Sequence, residues 1–172
     1  AGLDAKEDFV EELHRLVGRP IGINLEPVDS QAQMAGERLI IDEGRQASLA
    51  TIQRAEELGV DFICLTGNPG TGVTNQAIID TIRVVKENFS GLLIAGKMHA
   101  SGVDEPVADL EAIAQFIEAG VDIVLAPAVG SVPGFDEQDL KQIVRLAHQK
   151  GALVMSAIGT SQESADEDIV KQ

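Results

Sequence analysis

Apolar and polar positions follow two alternating rhythms along this chain of 172 residues. In QASLATIQRAEEL, Leu49, Ile52 and Ala55 recur every three residues. Ile78, Ile79, Ile82 and Val85 repeat that spacing, as do Leu110, Ile113, Phe116 and Ile117, and then Leu140, Ile143, Val144 and Ala147. Each stretch predicts a helix with one apolar side. Each is closed by a glycine, the residue that adopts the left-handed conformation of a helix stop at least cost. A short apolar run follows every time: VDFICLTG after Gly59, LLIAGKMH after Gly91, VDIVLAPA after Gly120 and ALVMSAIG after Gly151. These runs, together with RPIGINLEP after Gly18, predict five buried strands.

The last four glycines are spaced 32, 29 and 31 residues apart, and EELGVDFICL and IEAGVDIVLA share wording. Helix, glycine, strand and loop at that period are the mark of βα units and a parallel sheet. The expected map is a helix at about 5–17, a strand at 21–26, a long loop to about 44, and strands near 61–66, 92–98, 122–127 and 152–158, each followed by a helix. Two architectures accommodate it in a single α/β domain over 1–172. One is an open doubly wound sheet, complete at five strands. The other is a (β/α)8 barrel, which needs eight strands and typically ~250 residues. The chain opens without methionine and stops at SADEDIVKQ, an acidic helix start with no stop signal. Both ends therefore read as cut, and the favoured expectation is an incomplete TIM-like barrel of about five βα units.

Composition narrows the partners. The formal net charge is -15, which argues against nucleic acid and against anionic membrane surfaces, both of which attract Lys and Arg. No apolar run is long enough to span a bilayer. The lone Cys64 and the polar opening AGLDAKEDF fit a reducing cytoplasm. A small anion remains compatible with an acidic protein, because a local nest of backbone N–H groups binds it.

Strand alternation sorts the candidate chemistry. Asn24 and Glu26 fall on one side of the first strand. Cys64 and Thr66 fall together in the second, Ala95, Lys97 and His99 in the third, and Val154, Ser156 and Ile158 in the last. The set containing Glu26, Thr66, Lys97, His99 and Ser156 turns polar toward the C-terminal ends of the strands, where parallel α/β proteins build their sites. A buried carboxylate and ammonium are costly unless paired or in use, and a structural Glu26–Lys97 ion pair is the plainer alternative. Glu26 and His99, with Asp104 and Glu105 of GKMHASGVDEP, form a candidate donor set for a divalent metal, without compact ligand spacing. Asn24 is placed to orient a substrate oxygen or to cap the loop after it.

Three glycine-bearing loops follow these strands. In LTGNPGTGV, Gly67, Asn68, Gly70 and Gly72 follow Thr66, and Thr71 or Thr74 caps the next helix. PAVGSVPG carries Gly130, and AIGTSQES carries Gly159 and Thr160. Such loops either cradle an anion at a helix N-terminus or simply turn tightly. The spacing matches neither Walker A nor G-x-G-x-x-G, so a nucleotide is not expected.

The motifs GINLEP, FICLTGNPGTGV, IAGKMH, DIVLAPAVG and ALVMSAIGTSQE resemble a poorly characterised bacterial TIM-barrel family. Members of that family carry conflicting labels, phosphoenolpyruvate phosphomutase-like or haloacid-dehalogenase-like hydrolase. The resemblance implies a barrel fold and a longer parent chain, and no settled reaction. Asp166, Asp168 and Val170 spell the haloacid-dehalogenase motif, but no apolar strand precedes them, so the hydrolase label is disfavoured. The phosphomutase's aspartate-rich strand end is missing, and Cys64 lies mid-strand.

The expectation carried forward is a lyase or isomerase acting on a small phosphorylated or carboxylated metabolite. Glu26 or His99 moves protons, Lys97 stabilises negative charge or forms a Schiff base, and the glycine loops hold the anion. Two alternatives stand beside it: an anion-binding or regulatory barrel without turnover, and a subunit completed by a partner chain or homo-oligomer.

Overall fold

The computed structural model describes residues 9–158. Five strands form one sheet: β1 (Gly22–Leu25), β2 (Phe62–Leu65), β3 (Leu92–Ala95), β4 (Ile123–Pro127) and β5 (Leu153–Ala157). Five helices, α1 (Phe9–Val17), α2 (Leu49–Glu57), α3 (Asn75–Asn88), α4 (Leu110–Ala119) and α5 (Glu137–Gln149), alternate with them. Every strand pair is parallel, and the order in space is the order in sequence, β1-β2-β3-β4-β5. A doubly wound sheet reverses its order at a switch point. No reversal occurs here, so the five βα units form an arc of a TIM-like barrel. No helix among the described residues is long and apolar enough to cross a membrane.

The helices form where the periodicity placed them. α4 ends on Gly120 at φ 112°, while α2 and α5 run out into Gly59 and Gly151, both also at positive φ. Gly91 departs from the expectation. α3 stops earlier, at an extended Phe89, and Gly91 matters for room: a Cβ there would lie 2.5 Å from the Asp61 carbonyl oxygen.

Register separates two sides of the sheet. Leu25, Leu65 and Ala95 share a row facing the helices, and Val124 continues it. This side packs against Ile52, Ile78, Ile82, Ile113 and Ile143 in the main core. On the other side Asn24, Cys64 and Ile94 share a row. Cys64, Ile94, Met98 and Leu125 make a much smaller buried cluster there. Leu92, Leu153 and Met155, also on this inner side by register, remain 54%, 60% and 39% exposed.

The long β1–α2 connection is not loose. Its residues 27–42 lie across the strand C-terminal edge, with backbone N–H groups of Asp29, Ala35 and Leu39 donating to the carbonyls of Gly72, Gly102 and Gly70. Arg38 fastens it further by donating to the carbonyls of Thr71 and Ala32 at 3.1 Å each.

Candidate functional site

At the C-terminal end of the inner side lies a pocket of about 290 Å³. Its polar wall is Asn24, Thr66, Asn68 and His99, and its apolar wall is Met98, Leu125, Met155, Ala157 and Ile158. Cys64 and Gly67 also line it. Burial pushes the Cys64 thiol up to about 11, so it sits there as a neutral group.

His99 is the pocket's titratable side chain with a fixed role. The backbone N–H of Ser101 donates to its Nδ1 at 3.2 Å. Nδ1 therefore carries no proton, and the neutral ring holds its proton on Nε2. Burial first, and the nearby Lys97 charge second, hold its pKa below the ordinary value of 6.5, with Glu26 acting in the opposite sense. Protonating Nδ1 would also cost the Ser101 hydrogen bond. Ser101 makes this contact from a left-handed backbone, φ 56°, and is itself buried.

Glu26 and Lys97 have separate partners, so the alternative of a structural Glu26–Lys97 ion pair does not hold. The Glu26 carboxylate is 2% exposed and accepts three hydrogen bonds: Arg45 Nη2 and Asn68 Nδ2 on Oε1, each at 2.7 Å, and the Asn68 backbone N–H on Oε2 at 2.9 Å. It clamps the β2–α3 loop to β1 and is not part of the pocket wall. The Lys97 ammonium, its side chain 1% exposed, donates to Glu105 Oε2 at 2.9 Å. The same oxygen accepts the N–H of Asn75 at 2.7 Å, at the start of α3.

The β2–α3 glycine loop is a turn held largely by internal partners. Thr74 caps α3 by accepting from Ala77 N. Glu105 occupies the neighbouring N–H, a carboxylate of the protein's own at the helix N-terminus. The N–H groups of Asn68, Thr71 and Gly72 go to Glu26, the Asn68 carbonyl and the Ser101 carbonyl. Gly67 is needed for close approach: a Cβ would fall 2.4 Å from Ser101 Oγ and 2.8 Å from Val73. Gly70 and Gly72 face the β1–α2 strap, against Leu39 and Arg38.

The remaining candidates disperse. Ser156 lies with Val154 on the helix side and donates to the Pro127 carbonyl at 3.2 Å, away from the pocket. This corrects the inward set drawn from alternation for β3 and β5: the inward-facing residues are Ile94 and Met98, and Met155 and Ala157. Alternation sorts residues into two sets without saying which faces inward; cross-strand register decides that. His99 reaches the pocket because β3 ends at Ala95, beyond which the period of two no longer holds. Gly130 closes the β4–α5 turn by donating to the Phe135 carbonyl at 3.3 Å. Asp104 lines a separate depression beside Glu105. No group of three or more metal-binding side chains occurs among the described residues, and Glu26, His99 and Asp104 do not form one. Gly159, Thr160 and the 166–170 motif lie outside the described residues.

The sequence did not disclose two unsatisfied hydroxyls: Thr66 Oγ1 in the pocket wall, and Ser101 Oγ close to Gly67, are both buried without a hydrogen-bond partner. Arg45 and Glu105, the true partners of Glu26 and Lys97, carried no motif.

Among solved structures, the chain is similar to 3-keto-L-gulonate-6-phosphate decarboxylase from Vibrio cholerae. The TM-score is 0.52 at 12% identity, covering 86% of this chain and 56% of the other. That likeness supports the barrel fold alone, and this chain spans little more than half the length of the decarboxylase. A mandelate racemase/muconate lactonizing enzyme from Jannaschia sp. CCS1 scores 0.43 at 14% identity, covering 92% and 44% of the two chains, too weak to carry an argument. A search of curated proteins gives no match. The match that covers the whole sequence, residues 1–172, is to the domain of unknown function DUF7916, and the chain belongs to that family.

Proposed function

We propose that the inner mouth is an active site for lyase or isomerase chemistry at a carbonyl carbon of a small metabolite, with His99 as the group that polarises the carbonyl. The observation that supports this is the Ser101 N–H on His99 Nδ1. It leaves Nε2–H as the ring's donor in a pocket of substrate size. A neutral donor held in place stabilises negative charge as it develops on a substrate oxygen without reorganising. The nearby Lys97 charge, one cause of the lowered His99 pKa, favours such charge as well. Lys97 itself, paired and buried, fits an electrostatic role better than a Schiff base.

Deuterium uptake tests the reading. A carbonyl compound that binds the mouth should exchange its α-protons in heavy water, with solvent taking the proton while the His99 Nε2–H stabilises the enolate oxygen, and His99→Gln should slow that exchange by about 100-fold. A bound compound that exchanges no faster than free in solution would contradict it. Borohydride trapping with ketoacids should leave Lys97 unlabelled.

A second reading, a ligand-binding barrel without turnover, draws on one observation. Glu26 and Lys97, the two residues whose charges act on His99, are both engaged by protein partners. On that reading a ligand binds, no proton exchanges, and Glu26→Gln leaves the affinity nearly unchanged.

A further inference from the structure

Among the described residues, the wall of the mouth combines hydrogen-bonding groups with no formal charge. Its polar wall is made of two amides, a hydroxyl and an imidazole, and no Asp, Glu, Lys or Arg lines it among the described residues. One amide is half engaged: Asn68 gives its Nδ2 to Glu26, so Oδ1 remains as that side chain's acceptor. The cations that could neutralise an incoming anion are committed elsewhere, Arg45 to Glu26 and Lys97 to Glu105. The helix N-terminus after β2, the usual place for a phosphate, already receives Glu105. The facing wall of Met98, Leu125, Met155, Ala157 and Ile158 offers an anion nothing in place of its water.

We infer that this mouth selects a small uncharged hydroxycarbonyl compound over the phosphate ester of the same skeleton. The inference rests on the reading of the mouth as a substrate site. It replaces the anionic metabolite expected from the glycine loops. A carbonyl oxygen suits the His99 Nε2–H, hydroxyls suit the amide oxygens, and the carbon skeleton suits the methionine wall. A phosphate dianion would lose hydration without meeting, among the described residues, a countercharge that is not already paired, and an acidic protein gives it no long-range attraction.

The three methionines of the sequence, Met34, Met98 and Met155, make the test direct. Met98 and Met155 line the mouth, while Met34 lines the depression beside Glu105. The full chain carrying [methyl-13C]methionine is titrated with glycolaldehyde and dihydroxyacetone, and separately with their phosphate esters. The expected result is movement of the Met98 and Met155 resonances with a neutral compound, Met34 unmoved, and at least about tenfold weaker response to the ester. Met155→Lys, at a partly exposed position, should reverse that preference as read at Met98.

Equal or tighter binding of the ester at Met98 and Met155 overturns the inference while leaving the mouth as the site. Failure of Met155→Lys to favour the ester also overturns it. Shifts confined to Met34, or none up to the solubility limit of every neutral compound, remove the site reading together with the inference. Binding without deuterium exchange removes only the proposed reaction.

Discussion

The two sides of this sheet are held by different means. On the helix side, Leu25, Ile63, Leu65, Leu93 and Val124 are at most 1% exposed and interlock with the apolar stripes of the helices. On the inner side four buried residues form a thin cluster among the described residues, and Leu92, Leu153 and Met155 remain exposed. Order at the inner mouth comes instead from polar clamps: Glu26 on Asn68 and Arg45, Lys97 on Glu105, and Ser101 on His99. Apolar packing holds elements in place but tolerates small shifts. Hydrogen bonds to buried charges fix individual atoms, as a site requires.

Five substitutions, one of them read as a titration, sharpen that contrast, with the largest effect first. Leu65→Ala removes a side chain with no exposure and should cost about 3 kcal/mol in chemical denaturation. Met155→Ala on the inner side should cost less than about 1 kcal/mol. Comparable losses at the two positions would erase the distinction. Glu26→Gln turns an acceptor of three hydrogen bonds partly into a donor facing donors, and about 2 kcal/mol should be lost. A negligible loss would show that the clamp is decorative.

Gly67→Ala should cost about 1–2 kcal/mol by forcing Ser101 and Val73 apart. It should also disturb the His99 NMR resonances more than Glu26→Gln does.

The smallest effect is a pH dependence. Because the folded state holds His99 below its ordinary pKa of 6.5, the unfolded chain binds the proton first as pH falls. The contribution of His99 is therefore complete above the unfolded value and is lost as pH drops through 6.5 toward the lowered folded pKa. Melting temperatures of wild type and His99→Asn, compared between about pH 5 and 8, should show a shallower acid slope in the variant. An unchanged slope would mean that His99 titrates alike in both states.

Much of the fold was legible in the sequence, because helices and strands answer to periodicity and glycine. All five strands fall within the expected stretches, and Thr74 caps α3 as anticipated. The sequential strand order was not legible, since open and closed parallel sheets share the same βα rhythm. It emerged only from pairing. The candidate site was legible in part: Asn24, Thr66, Gly67, Asn68 and His99 meet at one pocket. The assignment of charges was not. Glu26 and Glu105 were both available to Lys97, and the choice depends on where the β3–α4 loop carries Glu105, 8 residues further along the chain. The Ser101–His99 contact was equally hidden, because it depends on a left-handed backbone at a residue that rarely adopts one.

The most direct test is nitrogen NMR of the imidazoles, with His99 assigned by comparison with His99→Asn. The account expects Nε2 to carry the proton, Nδ1 to be bare, and protonation to occur only below the ordinary value of 6.5. A His99 with its proton on Nδ1, or one that titrates at or above the ordinary value, would contradict the arrangement on which the proposed site depends.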